Sequence, residues 1–269
     1  MHRSSWKRVA ALVLSVIVVT ACHPEFQLKN FTSNESLYAA SLSAFQHHKW
    51  DDAVTGFEKL TTDLPPRDTL LPRSYWYLAS AHEHLGEHLL AAQSFSRLVE
   101  SFPEDSLADD AGLEASRSYA KLWRRPQLDP LYGEQAISSY NTLIGLYPNS
   151  PLIPTAQKEI AELENKLAIK NYEAGLYYFG HKWYDSGIIY FKDVLARFGT
   201  TPTARLASIK LVQSYKAIHY MDDAADQCAQ LRQQYPSDRE ATEACAGVAV
   251  VAAKADSAAA PRGGKPPVP

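Results

Sequence analysis

Residues 82–88 contain three histidines and two glutamates, which makes this stretch the chain's clearest candidate for metal chemistry. The run His84-Leu85-Gly86-Glu87-His88 has the spacing H-x-x-E-H. On one continuous helix this spacing places two imidazoles on a zinc ion and the carboxylate on its bound water. His82 adds an imidazole, but no further carboxylate ligand can be nominated. Since Gly86 lies where the surrounding pattern predicts a turn, we expect His84 and His88 on different helices and no metal site.

Other chemistry-bearing motifs are missing from the sequence. It contains no G-x-S-x-G, no glycine-rich phosphate loop and no cysteine pair at zinc spacing. We therefore expect no catalytic residue, no cofactor and no enzyme activity. The formal charge of -3 does not favour nucleic-acid binding, and 46% hydrophobic residues suit a folded chain.

The N-terminus predicts export. Arg3, Lys7 and Arg8 precede an uncharged, mostly apolar run over residues 9–21, which is short for a membrane span and typical of a signal peptide. The run ends in Val19-Thr20-Ala21-Cys22, which resembles the bacterial lipobox, so we predict cleavage after residue 21 and lipidation of Cys22. The alternative is an ordinary signal peptide with an incidental Cys22. His23 after the cysteine, by resemblance to sorted lipoproteins, implies the outer membrane.

Two further cysteines, Cys228 and Cys245, would enter an oxidising compartment, where a disulfide can form. Cys228 also falls where a helix face requires an apolar residue, and a free cysteine packs as a small hydrophobe. The sequence leaves both alternatives open, and we expect no bridge.

The elements that hold these residues are predicted to be helical hairpins. In Tyr75–Pro103 a first helix is followed by a break at Gly86 and by a second helix in which apolar residues recur at helical spacing. A small residue marks the close helix crossing, an aromatic residue follows four positions later, an aliphatic one after seven and a proline after twelve. Five copies are in phase, and their crossing residues are Ala53, Ala91, Ala136, Gly187 and Ala224.

These residues resemble the tetratricopeptide repeat, although the spacings here are longer. The resemblance implies an all-α fold, an α-solenoid of about five hairpins with about ten helices. A charged run over residues 155–179 predicts one unusually long helix leading into the fourth copy. Residues 22–34 are predicted to be a lipid-anchored linker with Ser33 and Asn34 as caps, and residues 241–269 a C-terminal extension, disordered at least from Ser257.

The lipobox, five repeats and the long helix together resemble the BamD family, the lipoprotein subunits of the machine that inserts β-barrels into the bacterial outer membrane. Tyr147-Pro148-Asn149-Ser150 at the exit of the third copy carries part of the resemblance, while RRPQLDPLYGE matches the family's third-repeat loop only in part. The resemblance implies that repeats 1–2, residues 35–104, receive unfolded barrel proteins. It implies that repeats 3–5, residues 105–240, dock the barrel-bearing core subunit of the machine.

In stacked hairpins the first helices line the concave face, where side chains can meet an extended peptide. Extending the repeat phase onto that face nominates Tyr38, Phe45, Arg73, Trp76 and His84 for peptide binding, because aromatics and arginine dominate such contacts. Inter-repeat packing is the alternative role for these aromatics. Tyr215 and Lys216 are nominated for docking the partner.

Three functions follow from these observations. The favoured one is a non-catalytic scaffold lipoprotein on the periplasmic face of the outer membrane. It would bind unfolded outer-membrane proteins, the β-barrel core subunit and accessory lipoproteins. The second is another repeat lipoprotein acting as a cell-envelope or pilus assembly adaptor, and the third is a zinc hydrolase on a helical scaffold. The sequence does not identify the accessory subunits, the peptide preference or a role for the tail.

Overall fold

The computed structural model of the protein describes residues 26–249, and these residues fold into helices without strands. The predicted signal peptide, Cys22 and the segment from residue 250 onward lie outside the described residues. Within the described part, eleven α-helices follow a 3-10 turn at Leu28–Asn30. They are α1 (Asn34–Gln46), α2 (Trp50–Asp63), α3 (Leu70–Leu85), α4 (His88–Ser101), α5 (Ala108–Leu122), α6 (Leu131–Leu146), α7 (Ile153–Gly180), α8 (Tyr184–Phe198), α9 (Pro202–Ala217), α10 (Met221–Gln234) and α11 (Arg239–Ala244).

The chain divides into two compact units, one ending at Ser118 and the other beginning at Tyr119. In the first unit α1 pairs with α2 and α3 with α4, and α2 packs against α3. In the second unit α7 pairs with α8 and α9 with α10, while α6 lies against α7 and α11 against α9 and α10. The predicted all-α array of about five hairpins is confirmed. The predicted boundary between residues 104 and 105 stays a prediction.

Helix ends follow local sequence signals. Ser33 caps α1: its side chain accepts a hydrogen bond from the backbone N–H of Ser36, at 3.2 Å, which satisfies a donor that the first turn leaves open. Four second helices end two residues before their proline, at Asp63, Ser101, Leu146 and Gln234. The residue before a proline is sterically kept out of the helical region, so the helix must stop there.

Small residues mark where paired helices cross. Ala53, Ala91, Ala136 and Ala224 are completely buried. In the fourth pair Gly187 takes this position, and a Cβ there would lie 3.3 Å from the carbonyl oxygen of Gly175. A methyl group at position 187 would be tight against this oxygen, so glycine permits a closer crossing here than alanine does.

The chain leading into α6 is fastened by Trp123, which is 1% exposed. The ammonium group of Lys166 on α7 lies 4.5 Å from the centre of the Trp123 ring and donates to the Trp123 carbonyl oxygen. Burial lowers the pKa of Lys166. A side chain at Gly133 would collide with the same indole ring, so that position must stay small.

Cys228 and Cys245 form a disulfide, so the expectation of no bridge was wrong. Their Cα atoms lie 5.7 Å apart, within the range that a disulfide spans. The reason is α11, a helix that the sequence pattern did not predict. Packed against α9 and α10, it delivers Cys245 to the buried face of Cys228.

Substituting two glycines with equally open surroundings tests whether the turn between the first and second helix of a hairpin requires a left-handed backbone. Gly86 has a φ of 77°, and Gly145 lies within α6; an added Cβ would meet nothing within 4 Å at either position. Gly86→Ala should lower the free energy of unfolding by about 1–2 kcal/mol because the left-handed region disfavours a Cβ. Gly145→Ala should raise it by roughly 0.5–1 kcal/mol. Urea unfolding measures both, and equal effects would contradict the turn geometry.

The disulfide should stabilise the C-terminal end of the chain. It closes a loop with a sequence separation of 17 residues, for which loop-closure entropy predicts about 3 kcal/mol. The Cys228→Ala/Cys245→Ala double variant should therefore unfold at lower urea concentration than the wild type, as should the reduced protein. A reducing agent should leave the double variant unchanged, and this comparison separates loss of the bridge from loss of packing at Cys228.

Candidate functional site

The first unit brings two of the predicted peptide-binding residues together. The rings of Phe45 on α1 and His84 on α3 lie 6.0 Å apart. Trp50, the first residue of α2, joins them: it stacks on His84 at 4.0 Å with an interplanar angle of 9° and meets Phe45 at 5.1 Å. We call Phe45, Trp50 and His84 the N-terminal aromatic cluster. Two successive hairpins contribute to it, so it depends on how they stack.

Trp50 is the member of this cluster that the sequence analysis did not nominate. It is the first residue of α2. His84 is exposed and Trp50 is half-buried, so the cluster offers ring surface at the protein's exterior. One sequence signal pointed to Trp50 as a cluster member. It is a tryptophan at the start of a helix, and the neighbouring hairpin carries the exposed His84.

Tyr38 and Arg73 interact electrostatically, and Tyr38 is linked to Phe45 of the cluster through Phe57 and Tyr77. The Tyr38 ring packs edge-on against Phe57 at 5.8 Å. Burial raises the pKa of Tyr38, Tyr77 raises it further, and the positive charge of Arg73 opposes the rise. The guanidinium group of Arg73 therefore acts on the Tyr38 hydroxyl, and Arg73 itself is exposed.

Trp76 packs within its own hairpin. Its ring meets Phe95 of α4 edge-to-face, with centroids 5.2 Å apart, and the residue is half-buried. One side of the ring thus fills the space between α3 and α4. Its role in peptide binding stays a prediction.

The histidines of HLGEH lie on two helices, as predicted. His84 is in α3, His88 begins α4, and Gly86 between them has a left-handed backbone. Nδ1 of His82 lies 2.7 Å from a carboxylate oxygen of Glu87, and Nδ1 of His88 lies 3.1 Å from one of Glu83. Within residues 26–249 no group of three or more His, Cys, Asp or Glu side chains is placed to hold a metal ion. These imidazole–carboxylate pairs bridge the two helices on either side of the turn.

The two predicted docking residues lie near the end of α9. Tyr215 is 5% exposed, and the ammonium group of Lys192 on α8 lies 5.6 Å from the centre of its ring. A hydrogen bond with Tyr215 raises the pKa of Lys192. Lys216 donates to the carbonyl oxygens of Ala244 and Ala246, at 3.0 and 2.7 Å. Both residues therefore hold structure in place, and their docking role stays a prediction.

A groove of about 470 Å³ opens between α7, α9 and α11. We call it the C-terminal groove. Its lining combines apolar residues with both signs of charge: Tyr172, Leu206, Ile209, Lys210, Gln213, Lys216, Glu240, Glu243 and Ala244. Burial raises the pKa of Tyr172, and the carboxylate of Glu240 raises it further. Grooves of this size and mixed lining suit an extended segment of a partner.

An ionic clamp fixes the α11 wall of this groove. The Arg205 guanidinium of α9 donates to Asp238 at 2.8 Å and to Glu240 at 2.7 Å. Hydrogen bonds from Arg205, followed by the backbone N–H of Ala241, lower the pKa of Asp238 to about 2. Asp238 also caps α11. The pKa of Asp238 thus lies well below the usual range of a carboxyl group, so its side chain stays negatively charged at neutral pH.

No helix within residues 26–249 combines the length and the apolar character needed to cross a membrane. The described fold therefore contains no membrane span, and this statement does not extend to the residues outside it.

A family model described as "YfiO: Outer membrane lipoprotein" matches residues 31–231. An outer membrane protein assembly factor BamD from Buchnera aphidicola is 31% identical over 209 residues, covering 74% of this chain and 85% of the relative. A BamD from Caulobacter vibrioides is 24% identical over 209 residues, covering 76% of this chain and 67% of the relative.

Solved structures of repeat proteins are also similar. A thermophilic tetratricopeptide-repeat protein from Thermus thermophilus is 20% identical with a TM-score of 0.34, covering 78% of this chain and 96% of that one. The TPR2AB domain of yeast Sti1 is 15% identical with a TM-score of 0.39, covering 78% of this chain and 81% of that one.

Proposed function

The chain belongs to the YfiO family of outer membrane lipoproteins, and on that premise we propose that it is a non-catalytic scaffold in outer membrane protein assembly. The family match spans residues 31–231, and this observation carries the proposal. Relatives named BamD outer membrane protein assembly factors support the same role. The described residues form helical hairpins of the kind that repeat proteins use as scaffolds, which supports the proposal.

The proposed substrate contact is the N-terminal aromatic cluster. Phe45, Trp50 and His84 offer ring faces and edges against which an aromatic side chain of an unfolded barrel protein can pack, and each aromatic pair contributes about 0.5–1.5 kcal/mol beyond the buried area. Arg73, exposed beside Tyr38, supplies a guanidinium group for a carboxylate of the same segment. Capture is then the docking of an extended peptide on side chains that are already held in position.

The second unit is proposed to dock the barrel-bearing core subunit and accessory lipoproteins. The C-terminal groove is the surface that supports this assignment, because its charged and apolar lining can recognise a defined segment. Lys216 fastens the end of α11 there, because its ammonium group donates to the carbonyl oxygens of Ala244 and Ala246. Those two hydrogen bonds leave only part of the ammonium group to contact a partner. Tyr215, the residue before Lys216 on α9, is buried with the ammonium group of Lys192 lying 5.6 Å from the centre of its ring.

Membrane attachment is proposed to occur through a lipid on Cys22. The sequence Val19-Thr20-Ala21-Cys22 supports it, as does the description of the family as outer membrane lipoproteins. Two or more acyl chains anchor a protein stably, whereas one binds only marginally. Anchoring confines the scaffold to the membrane surface and raises its effective concentration near the insertion site.

Copurification tests the assembly role. The tagged full-length protein, extracted from its own outer membrane in mild detergent, should recover a β-barrel protein that carries periplasmic domains. A Cys22→Ser variant should be lost from the outer membrane fraction, because residue 22 then carries no thiol to receive the lipid. Recovery of pilus or peptidoglycan-linked proteins alone would overturn the assembly role.

Peptide titration tests the N-terminal aromatic cluster. His84→Ala should weaken the binding of a peptide ending in an aromatic residue by about tenfold, since a contact of about 1.4 kcal/mol is removed. His47→Ala is the matched control, because His47 is also exposed and lies in the same unit. Within residues 26–249 its ring forms one hydrogen bond, with the carbonyl oxygen of Ser43. Equal affinities for the two variants would remove the cluster from the binding site.

Trp76→Ala should also weaken binding of the same peptide. The melting temperature of this variant is measured together with its peptide affinity, because the substitution also removes a packing contact. The ring packs on Phe95, so truncation leaves a cavity that lowers the melting temperature. Unchanged peptide affinity with a lowered melting temperature would assign Trp76 to packing alone.

A further inference from the structure

One edge of the second unit exposes an unusual amount of aromatic surface. Tyr177, Trp183 and Tyr220 are 57%, 54% and 53% exposed. His181 and Met221 beside them in sequence are also exposed. We call these five residues the turn-edge patch, because they flank the α7–α8 and α9–α10 turns.

The two turns share one edge because α7, α8, α9 and α10 pack in succession with alternating direction. At the first turn the rings form a ladder: Tyr177 meets His181 at 4.4 Å, and His181 stacks on Trp183 at 5.2 Å. Neighbouring helices lie about 8–10 Å apart, so the patch spans roughly 20 Å. Exposed aromatic side chains gathered at one edge are typical of an interaction site.

The described chain ends beside this edge. Asp238, before α11, is bound to Arg205 near the start of α9, and the carbonyl oxygen of Ala246 is bound to Lys216 near its end. α11 therefore runs along α9 toward the α9–α10 turn. Val248, the last buried residue, is 7% exposed. Whatever follows Ala249 starts at the edge that carries the turn-edge patch.

Residues 250–269 have the chemistry that aromatic surfaces recognise. They contain Pro261, Pro266, Pro267 and Pro269, and proline-rich segments dock on aromatic side chains with a low entropy cost. Pro261 is 12 residues beyond Ala249, which allows a reach of up to about 40 Å. The patch therefore lies within reach of the prolines.

Charge also matches. Lys254, Arg262 and Lys265 outnumber the single acid Asp256 in residues 250–269. At the edge itself, Asp185 and Asp222 are exposed in the first turns of α8 and α10. Neither takes part in an ion pair with another residue of the described range 26–249. Cationic residues between the prolines can thus approach unpaired carboxylates beside the rings.

We propose that the proline-rich segment over residues 261–269 docks intramolecularly on the turn-edge patch and covers it. The prolines pack on Tyr177, Trp183 and Tyr220, and Arg262 or Lys265 meets Asp185 or Asp222. A tether of this length gives an effective concentration of about 1 mM, so a segment with a Kd of 1 mM occupies the patch half of the time.

Fluorescence quenching tests the proposal on the mature protein. Trp183 is the exposed member of the tryptophans in the mature chain, Trp50, Trp76, Trp123 and Trp183. A chain ending at Asp256 should show an acrylamide quenching constant for Trp183 that is roughly twofold higher than that of the full chain. The difference should vanish when both chains carry Trp183→Phe, which assigns the change to this ring.

A second variant avoids shortening the chain. Pro266→Ser/Pro267→Ser leaves every described helix untouched and should reproduce the higher quenching constant. A synthetic peptide of residues 257–269 should restore protection to the truncated chain, and the same peptide with both substitutions should not. Equal quenching of Trp183 in the full, truncated and substituted chains overturns the proposal. So does protection that requires phosphatidylcholine vesicles, because the patch would then contact lipid.

Discussion

Close approach of paired helices is the constraint on which the rest of the structure depends. A buried small residue stands at the crossing of α1–α2, α3–α4, α7–α8 and α9–α10. In the first three of these pairs an aromatic residue one turn later fills the space beside it: Phe57, Phe95 and Phe191 are 2% exposed or less. Burying a large apolar side chain stabilises by about 1.5–3 kcal/mol, but only while the surrounding groove remains its size. In the α7–α8 pair Gly175 is small because the Phe191 ring occupies the place of its Cβ. Small and large residues are therefore coupled across these pairs.

The helix crossings are filled mainly by residues of the second helices, so parts of the first helices and of the turns are left for other roles. In the first unit the HLGEH segment illustrates it. His82 and His88 reach across the Gly86 turn to Glu87 and Glu83, whereas His84 turns outward and stacks on Trp50. On a continuous helix these histidines and glutamates would favour metal binding. Here they form two imidazole–carboxylate pairs across the turn and leave the His84 ring exposed. Backbone conformation at a single glycine decides between the two outcomes.

Features governed by local spacing could be predicted from the sequence, and features that join distant segments could not. Ser33 as a cap and the proline stops follow from interactions within a few residues. The Trp50–His84 stack needs the relative rotation of two hairpins, which no local pattern specifies. Lys166 on Trp123 is separated by 43 residues. The Cys228–Cys245 bridge depended on α11, whose six residues are too few for a periodic signal.

The second unit shows how such a short helix can still shape a surface. Six residues cannot remain helical alone in water, so α11 needs ties from outside itself. It has three kinds: the Arg205 clamp at its start, the disulfide at its end and the Lys216 ammonium on the carbonyls beyond. Each tie acts on a different group, so the wall of the C-terminal groove does not depend on one interaction. The covalent tie persists only in an oxidising compartment, which links the shape of this groove to the cell envelope where the family resides.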